Sequence, residues 1–395
     1  MTATGSNTRF PIAQLFQLLR FKSLKWALLL GLLTALPAEA LELRVAIQKG
    51  VKRVKVGSST PALVRNAAGQ ALGTLSNLDA YAAVPKGAGV GIGSWQSNQL
   101  IIEPQNDGYV WIGNRWYRGK TRLIRQGSGV TALNLVDLEN YLYSVVGSES
   151  IPTWPQDALR AQAVAARTYA LYKISKSSNR YYDLDTTTAT QVYKGLEKEF
   201  LSTQEAVNAT TGQILTHNGK AILAAFHSSS GGHTENVEDI WVQPLPYLRG
   251  VVDYDQLSPV FQWNKTFSAG QLGQLIGGVG TVRSLVVERR TPRGRVVSLK
   301  VVGTRRSKQV RGAQLRKALN LRSTLFSVYP QNGKFVISGR GYGHGLGLSQ
   351  WGSQYLAEQG VDYQRILSHY YQTAQISLMG QASGDSKSEL ALRKP

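Results

Sequence analysis

The sequence predicts an α+β protein: a mixed, β-rich core around one buried alanine-rich helix, with a β-rich N-terminal region and an inserted small α/β domain. Three observations carry this. Residues 41–130 break into short apolar runs bounded by Gly, Asn and Ser, the pattern of strands joined by tight turns. The stretch from Val145 to Leu171, VVGSESIPTWPQDALRAQAVAARTYAL, sets Ala158, Ala161, Ala163, Ala165, Ala166 and Ala170 in one helix that is apolar on nearly every side. Such a helix belongs at the centre of a domain, where small side chains let neighbouring backbone come close. Between residues 254 and 334 the character changes, with Arg and Lys frequent around a strand–turn–strand pattern.

The elements follow in order. Arg9, Arg20, Lys22 and Lys25 precede or open the apolar run Trp26 to Leu36, and Ala38-Glu39-Ala40 supplies the small residues of a cleavage site. Residues 1–40 therefore read as a secretory signal, cleaved before Leu41 or retained as an anchor, with the rest exported to the periplasm or cell envelope. In the 41–130 region, Gly108 to Gly119 looks like a hairpin turning at Gly113-Asn114, with Tyr109, Trp111, Trp116 and Tyr117 on its arms. Asp137 caps a helix through Leu138, Tyr141, Leu142 and Val145 that is expected to end at Gly147. Gly147 to Pro152 then reads as a tight non-helical connection, and Pro155 suits the first turn of the alanine helix.

A polar, β-branched segment (183–193) and a helix ending at Gly212 come next. Residues 213–226 form a hairpin turning at Asn218-Gly219, and His227 to Asn236 make a polar, Gly-rich loop. In the insert, a helix from Ala269 to Ile276 precedes two strands turning at Pro292-Arg293-Gly294. A second glycine-rich run, Gly339 to Gln350, leads into a helix over Trp351–Gln359, and the tail from residue 379 is polar enough to be disordered. The domain boundaries read as 1–40, 41–130, 131–253, 254–334, 335–378 and 379–395, the third and fifth pieces forming one core.

Composition narrows the partners. The 395 residues carry a formal charge of +21, which stays strongly positive when the first 40 are set aside. An anionic surrounding is implied: a cell-wall or envelope surface, since export argues against nucleic acid. Without cysteine there are neither disulfides nor thiolate metal sites. His227 and His233, with Glu235, fall short of the three or four ligands that zinc needs, so neither metal nor cofactor is expected. The Gly-His-Gly run around His344 follows no Walker pattern and lacks its lysine.

Four polar sites remain in a chain of low charge density: Glu149, the 183–193 segment, the 227–239 loop and the 339–350 loop. Their motifs, VVGSESIPTWPQDALRAQAVAARTYAL, TATQVYKG, FHSSSGGHTENVEDIW and GRGYGHGLGLSQWG, occur in order and resemble the stage II sporulation protein D / amidase-enhancer LytB family over residues 110–375. The resemblance implies peptidoglycan remodelling; sporulation D proteins act as lytic transglycosylases on glycan strands stripped of stem peptides. It puts Glu149 at the position of the essential acid. Here Ser150-Ile151-Pro152 follow that residue, where relatives often have Met and then Pro, and the zinc that some members hold partly through Cys has no Cys ligand in this chain.

Cleaving a glycosidic bond requires an acid on the leaving oxygen, and a hydrolase adds a second carboxylate. A lytic transglycosylase manages with one, whose conjugate base then takes the proton of the sugar's own 6-hydroxyl. Glu149, desolvated beside Ile151, Trp154 and the alanine helix, is expected to stay protonated near neutrality. Gln191 and Tyr193 are candidates for sugar hydroxyls, and His227, Ser228, Glu235 and His344 for positioning. Should hydrolysis occur instead, Glu235 and Asp185 are the candidate second carboxylates. The alternative is a non-catalytic wall-binding enhancer of an amidase; it gains if Glu149 faces open solvent on a convex surface.

Overall fold

A computed structural model describes residues 1–2, 41–187, 190–241 and 243–380. Its contacts divide the chain into Met1–Leu41 and Glu42–Pro395, and every helix and strand named here belongs to the second of these. Of the leader expected over residues 1–40, residues 3–40 lie outside the described residues, as does the tail beyond Gly380. No helix among those described is long and apolar enough to cross a membrane. The architecture is α+β, with helices and several separate sheets interleaved along the chain.

The β-rich region folds into a seven-stranded and a six-stranded sheet. Strand Gly129–Asp137 is buried at eight of its nine residues and pairs antiparallel with Glu42–Val51 and with Lys120–Gln126. In the other sheet the hairpin Val110–Ile112 to Arg115–Tyr117 forms as expected, with Trp111 and Trp116 cross-strand partners whose rings meet edge-on at 5.2 Å. The seven-stranded sheet does not end with the N-terminal region. Leu184–Asp185 joins its edge, parallel to Glu42–Val51, and Arg44 grips Asp183 with two side-chain hydrogen bonds of 2.8 and 3.1 Å. The β region thus fixes the start of the 183–193 segment.

Asp137 closes the last strand and caps helix Leu138–Glu149, accepting from the N–H groups of Glu139 and Asn140. The helix does not stop at Gly147, as its glycine implied. It runs on to Glu149, and Gly147 is a close-approach residue: a Cβ there would sit 2.0 Å from the Lys198 carbonyl oxygen. The alanine helix spans Gln156–Lys176 with Pro155 just outside it as N-cap. Its Ala161, Val164 and Ala165 pack against Leu215, Ile222, Leu248, Leu346, Leu348 and Tyr371, which draws both glycine-rich loops to one core. Arg167, fully buried, clamps the two helices by hydrogen bonds of 2.8 and 2.5 Å to Glu139.

The helix expected before Gly212 begins later, at Leu201, and the Asn218-Gly219 hairpin forms with only a two-residue second arm, Lys220–Ala221. Helix Tyr363–Tyr370 and strand Gln375–Leu378 were not anticipated; the strand pairs with Gln213–His217 and shuts the C-terminal end onto the core.

Inside the insert, helix Ala269–Ile276 and strands Val282–Arg290 and Val296–Gly303 stand where the pattern placed them. They belong to two three-stranded sheets enclosing Leu272, Val282, Leu299, Val301, Leu315, Phe326 and Ile337. Strand Lys334–Arg340 pairs along its whole length with Gln262–Ser268, so these residues share a sheet with strands of the insert.

Candidate active site

Helix Leu138–Glu149 ends by delivering its last side chain into the region where the motifs meet. Glu149 accepts a hydrogen bond of 2.9 Å from the Val192 N–H and another from the Gln350 amide. Burial nevertheless pushes its carboxyl above the ordinary range, against the pull of those two donors and of Lys194. No carboxylate figures among the groups that bias it, so the shift is chiefly desolvation and not sharing of a proton between acids. Glu149 is therefore a largely desolvated carboxyl and not one in open solvent.

Each partner arrives from a different motif. Gln350 opens helix Gln350–Glu358 and also donates, at 3.4 Å, to Gln162 on the alanine helix. The strand before it, Leu348–Ser349, runs parallel to Phe226–His227, and the Trp351 N–H donates to the Ser228 carbonyl at 3.0 Å. Trp351 in turn meets Trp154 edge-on at 5.1 Å. Glu149, Val192, Ser228 and Gln350, one from each motif, are thus knitted together by backbone and amide hydrogen bonds.

Gln191 and Tyr193 flank the Val192 donor, but neither turns a polar group outward. Gln191 is 1% exposed, donating to the Ala166 carbonyl and accepting from Tyr141. Tyr193 is 3% exposed, packed between Tyr117 and Tyr141, with its hydroxyl on Asn134. In this structure they anchor the segment that holds Glu149, and their polar groups are hydrogen-bonded within the protein. Asp185 is likewise committed: burial opposes it, but Lys49 at 2.9 Å and the Thr187 and Thr190 hydroxyls hold its carboxyl low.

The two histidines form a neutral pair. His227 donates through Nδ1 to the Leu346 carbonyl at 3.1 Å, leaving Nε2 without a partner among the described residues. His344 accepts at Nδ1 from the Leu346 N–H at 3.0 Å and faces the Phe226 carbonyl with its other nitrogen. Their rings lie 5.2 Å apart. Burial, reinforced by Arg295, pushes His344 down to about 4 and His227 well below its usual value. Aromatic rings continue outward from there: Trp241 stands 5.6 Å from His344, and Phe226 6.0 Å from Tyr169, whose hydroxyl feels the Glu149 charge.

Glu235 sits behind this layer at 1% exposure. Thr291 donates to it at 2.8 Å and Arg295 lies 3.6 Å away, both from the turn between two insert strands, and burial raises its carboxyl. It ties the 227–239 loop to the insert. The Arg295 guanidinium also donates to the Ser230 carbonyl at 2.7 Å and lies so close under Gly345 that a Cβ there would come within 2.2 Å of it. Only glycine, here at φ +82°, allows that approach. Buried Asp253 and Asp255 hold the same loop, through Ser230 at 2.5 Å and through Ser229, Gly231 and Gly232.

A zinc ion does not fit these residues. There is no cysteine, His227 offers one nitrogen, His344 offers neither, and His233 turns its Nδ1 to the Thr234 carbonyl. Among the described residues no three His, Asp or Glu converge on a metal position.

Sequence reasoning missed Val192, a main-chain donor that no residue type announces, and Gln350, whose reach depends on the parallel pairing of two distant strands. It also passed over Tyr169, Trp241 and Trp351, although aromatic side chains beside polar motifs were a visible signal.

Fold and site together define an α+β protein whose four motifs close around one desolvated carboxyl. The chain belongs to the stage II sporulation protein D family. The model of that family, described as stage II sporulation protein, matches residues 126–217, and a domain of unknown function (DUF8618) matches residues 247–347. Over 262 residues the chain is 37% identical to the stage II sporulation protein D of Bacillus amyloliquefaciens, covering 61% of this chain and 74% of that one. It is 35% identical to the stage II sporulation protein D of Bacillus subtilis, covering 61% and 75%. With the amidase enhancer of Bacillus subtilis it shares 30% identity over 58% of this chain but 39% of that protein.

Proposed function

We propose that this protein remodels the cell wall by cutting peptidoglycan glycan strands as a lytic transglycosylase, with Glu149 as the acid and then the base. A leader over residues 1–40 would carry it to the envelope. The observation that supports the chemistry most directly is the state of Glu149: desolvated, biased toward its protonated form, and oriented by Val192 and Gln350, with no carboxylate among the described groups that bias it. Protonated Glu149 gives its proton to the glycosidic oxygen as the bond from that oxygen to C1 breaks. The resulting carboxylate takes the proton of the 6-hydroxyl as O6 closes on C1, which forms the 1,6-anhydro ring and restores the acid. Trp241, Phe226 and Tyr169 offer ring faces for sugars alongside.

The test is Glu149→Gln, which keeps the shape and removes the transferable proton. Turnover on peptide-free strands should fall by on the order of 10²-fold or more while KM stays put, because the proton moves only in the transition state. Mass spectrometry of wild-type products should show 1,6-anhydro ends. A fully active variant overturns the assignment. The likeness to an amidase enhancer favours a second reading, a non-catalytic partner of an amidase. That reading predicts wall binding without any strand cleavage, and a rise in amidase rate that Glu149→Gln leaves intact.

A further inference from the structure

The insert carries a cavity of about 330 Å³ on the outer face of its sheet Gln262–Ser268, Lys334–Arg340 and Phe326–Gln331. That volume is at the lower end of what small-molecule sites occupy, enough for part of a chain to lie in with the rest passing over. Strand register sets the lining in rows. Gln262 is opposite Arg340, Asn264 is opposite Ser338, and Ser338 is opposite Ser327 on the far strand. Tyr329, 55% exposed, stands one row along, and Arg290 reaches over the edge strand to donate to the Phe326 carbonyl at 3.0 Å.

The chemistry of this face is specific. Amides and hydroxyls in register match the alternating donors and acceptors of sugar hydroxyl and acetamido groups, and an exposed tyrosine offers a ring face to sugar C–H groups. No carboxylate lines the cavity. Among the described residues that line the cavity Arg340 has no carboxylate to pair with, and its backbone carbonyl is held by the Ser323 hydroxyl at 2.6 Å. A guanidinium so placed on a firmly held strand is a receptor for a planar anion, which it can grip through two parallel hydrogen bonds.

We propose that this face is an accessory glycan-binding subsite which takes a carboxylate-bearing aminosugar, with Arg340 on the carboxylate, Asn264 and Gln262 on hydroxyl or acetamido groups and Tyr329 under a ring. It rests on the reading of this protein as one that acts on glycan strands, and adds the ligand class for the insert. A strand freed of its peptides bears such carboxylates, whereas an otherwise similar chain of N-acetylglucosamine bears none. Strand Lys334–Arg340 runs without a break into the loop that carries His344, and the Gly341 and Tyr342 N–H groups are tied to Phe261 and Ser229 at 2.7 Å. A glycan seated on the insert is thus held by an element continuous with the region of Glu149.

The experiment uses the chain with Glu149→Gln, so that nothing is cut, titrated by calorimetry with peptide-free octasaccharides of alternating N-acetylglucosamine and N-acetylmuramic acid, and with chitohexaose. Arg340→Ala should weaken the charged octasaccharide by about tenfold, the scale of a lost hydrogen bond to a charged group, and chitohexaose much less. Tyr329→Ala should weaken both. Thermal melts of each variant, expected to match the parent because both side chains are exposed, separate a lost contact from a lost fold. Unchanged affinity for both glycans in both variants overturns the subsite, and equal weakening of both by Arg340→Ala overturns the carboxylate assignment. Failure of the catalytic reading shows elsewhere, as an active Glu149→Gln chain, because the titration involves no cleavage.

Discussion

Glu149 illustrates how far a single residue was legible. Its presence in a loop-like GSES run between two helices was visible, but its environment was not, because burial and two hydrogen bonds come from Val192 and Gln350, far off in sequence. The raised carboxyl has a stability consequence. A folded-state value above the unfolded one means that the folded form favours the neutral acid, so this contribution is present below the unfolded value of about 4.3 and is lost as pH rises through the folded value. Glu149→Gln should therefore melt at a higher temperature than the wild type at pH 7–8, and the difference should vanish near pH 4. An equal shift at every pH would mean that burial of the charge is not the cause.

His227 and His344 run the other way. Their depressed values mean that stability present above about 6.5 is lost as pH falls, with the His344 window extending to about 4. Urea unfolding at pH 7.5, 6 and 5 should show a decline that His344→Gln flattens. Gln191 and Tyr193 belong to this same scale. Sequence shows that a polar residue sits in a motif, but it does not show that Ala166 or Asn134 already answers its hydrogen bonds.

At the scale of elements, composition served best where one residue type dominates. The alanine helix and the helix and two strands of the insert stood almost where their patterns put them, since small residues and short alternation leave few alternatives. Punctuation by glycine misled at Gly147, where tertiary contact overrides its helix-ending tendency. Gly→Ala inside a helix ordinarily stabilises by about 1 kcal/mol, yet Gly147→Ala should lower the melting temperature, because the new methyl meets the Lys198 carbonyl. Its cost should appear in activity as well, two residues before Glu149. The Thr291–Arg295 turn makes a second case. Arg295→Ala strands Glu235 without its cation and should cost about 3–5 kcal/mol in chemical denaturation, the usual loss on breaking a buried pair. Arg295→Ala with Glu235→Gln should recover part of it.

For the whole molecule, charge was legible from composition, and its placement partly so. Arg289, Arg305 and Arg306 are exposed on the insert, and replacing all three by Gln should weaken sedimentation with purified cell walls at 20 mM salt far more than at 500 mM, where the field is screened. The insert's extent was less legible, because the partner of Lys334–Arg340 lies some seventy positions earlier, beyond the reach of any local pattern.

The place of the insert bears on the order in which the chain folds. Phe226–His227 must find Leu348–Ser349 across about 120 intervening residues, a loop whose closure entropy grows with its length. Gln262 and Arg340 stand side by side once the insert is folded, so an insert that forms first shortens the chain to be closed to residues 228–261 on one side and 341–347 on the other. Until then Gln350 cannot reach Glu149, and a ribosome-bound chain that has not yet reached Leu348 holds no assembled site. On the catalytic reading proposed above, the chain would be inert until Gln350 has been made, and variants that loosen the insert's sheet should refold more slowly even where their finished stability is little changed.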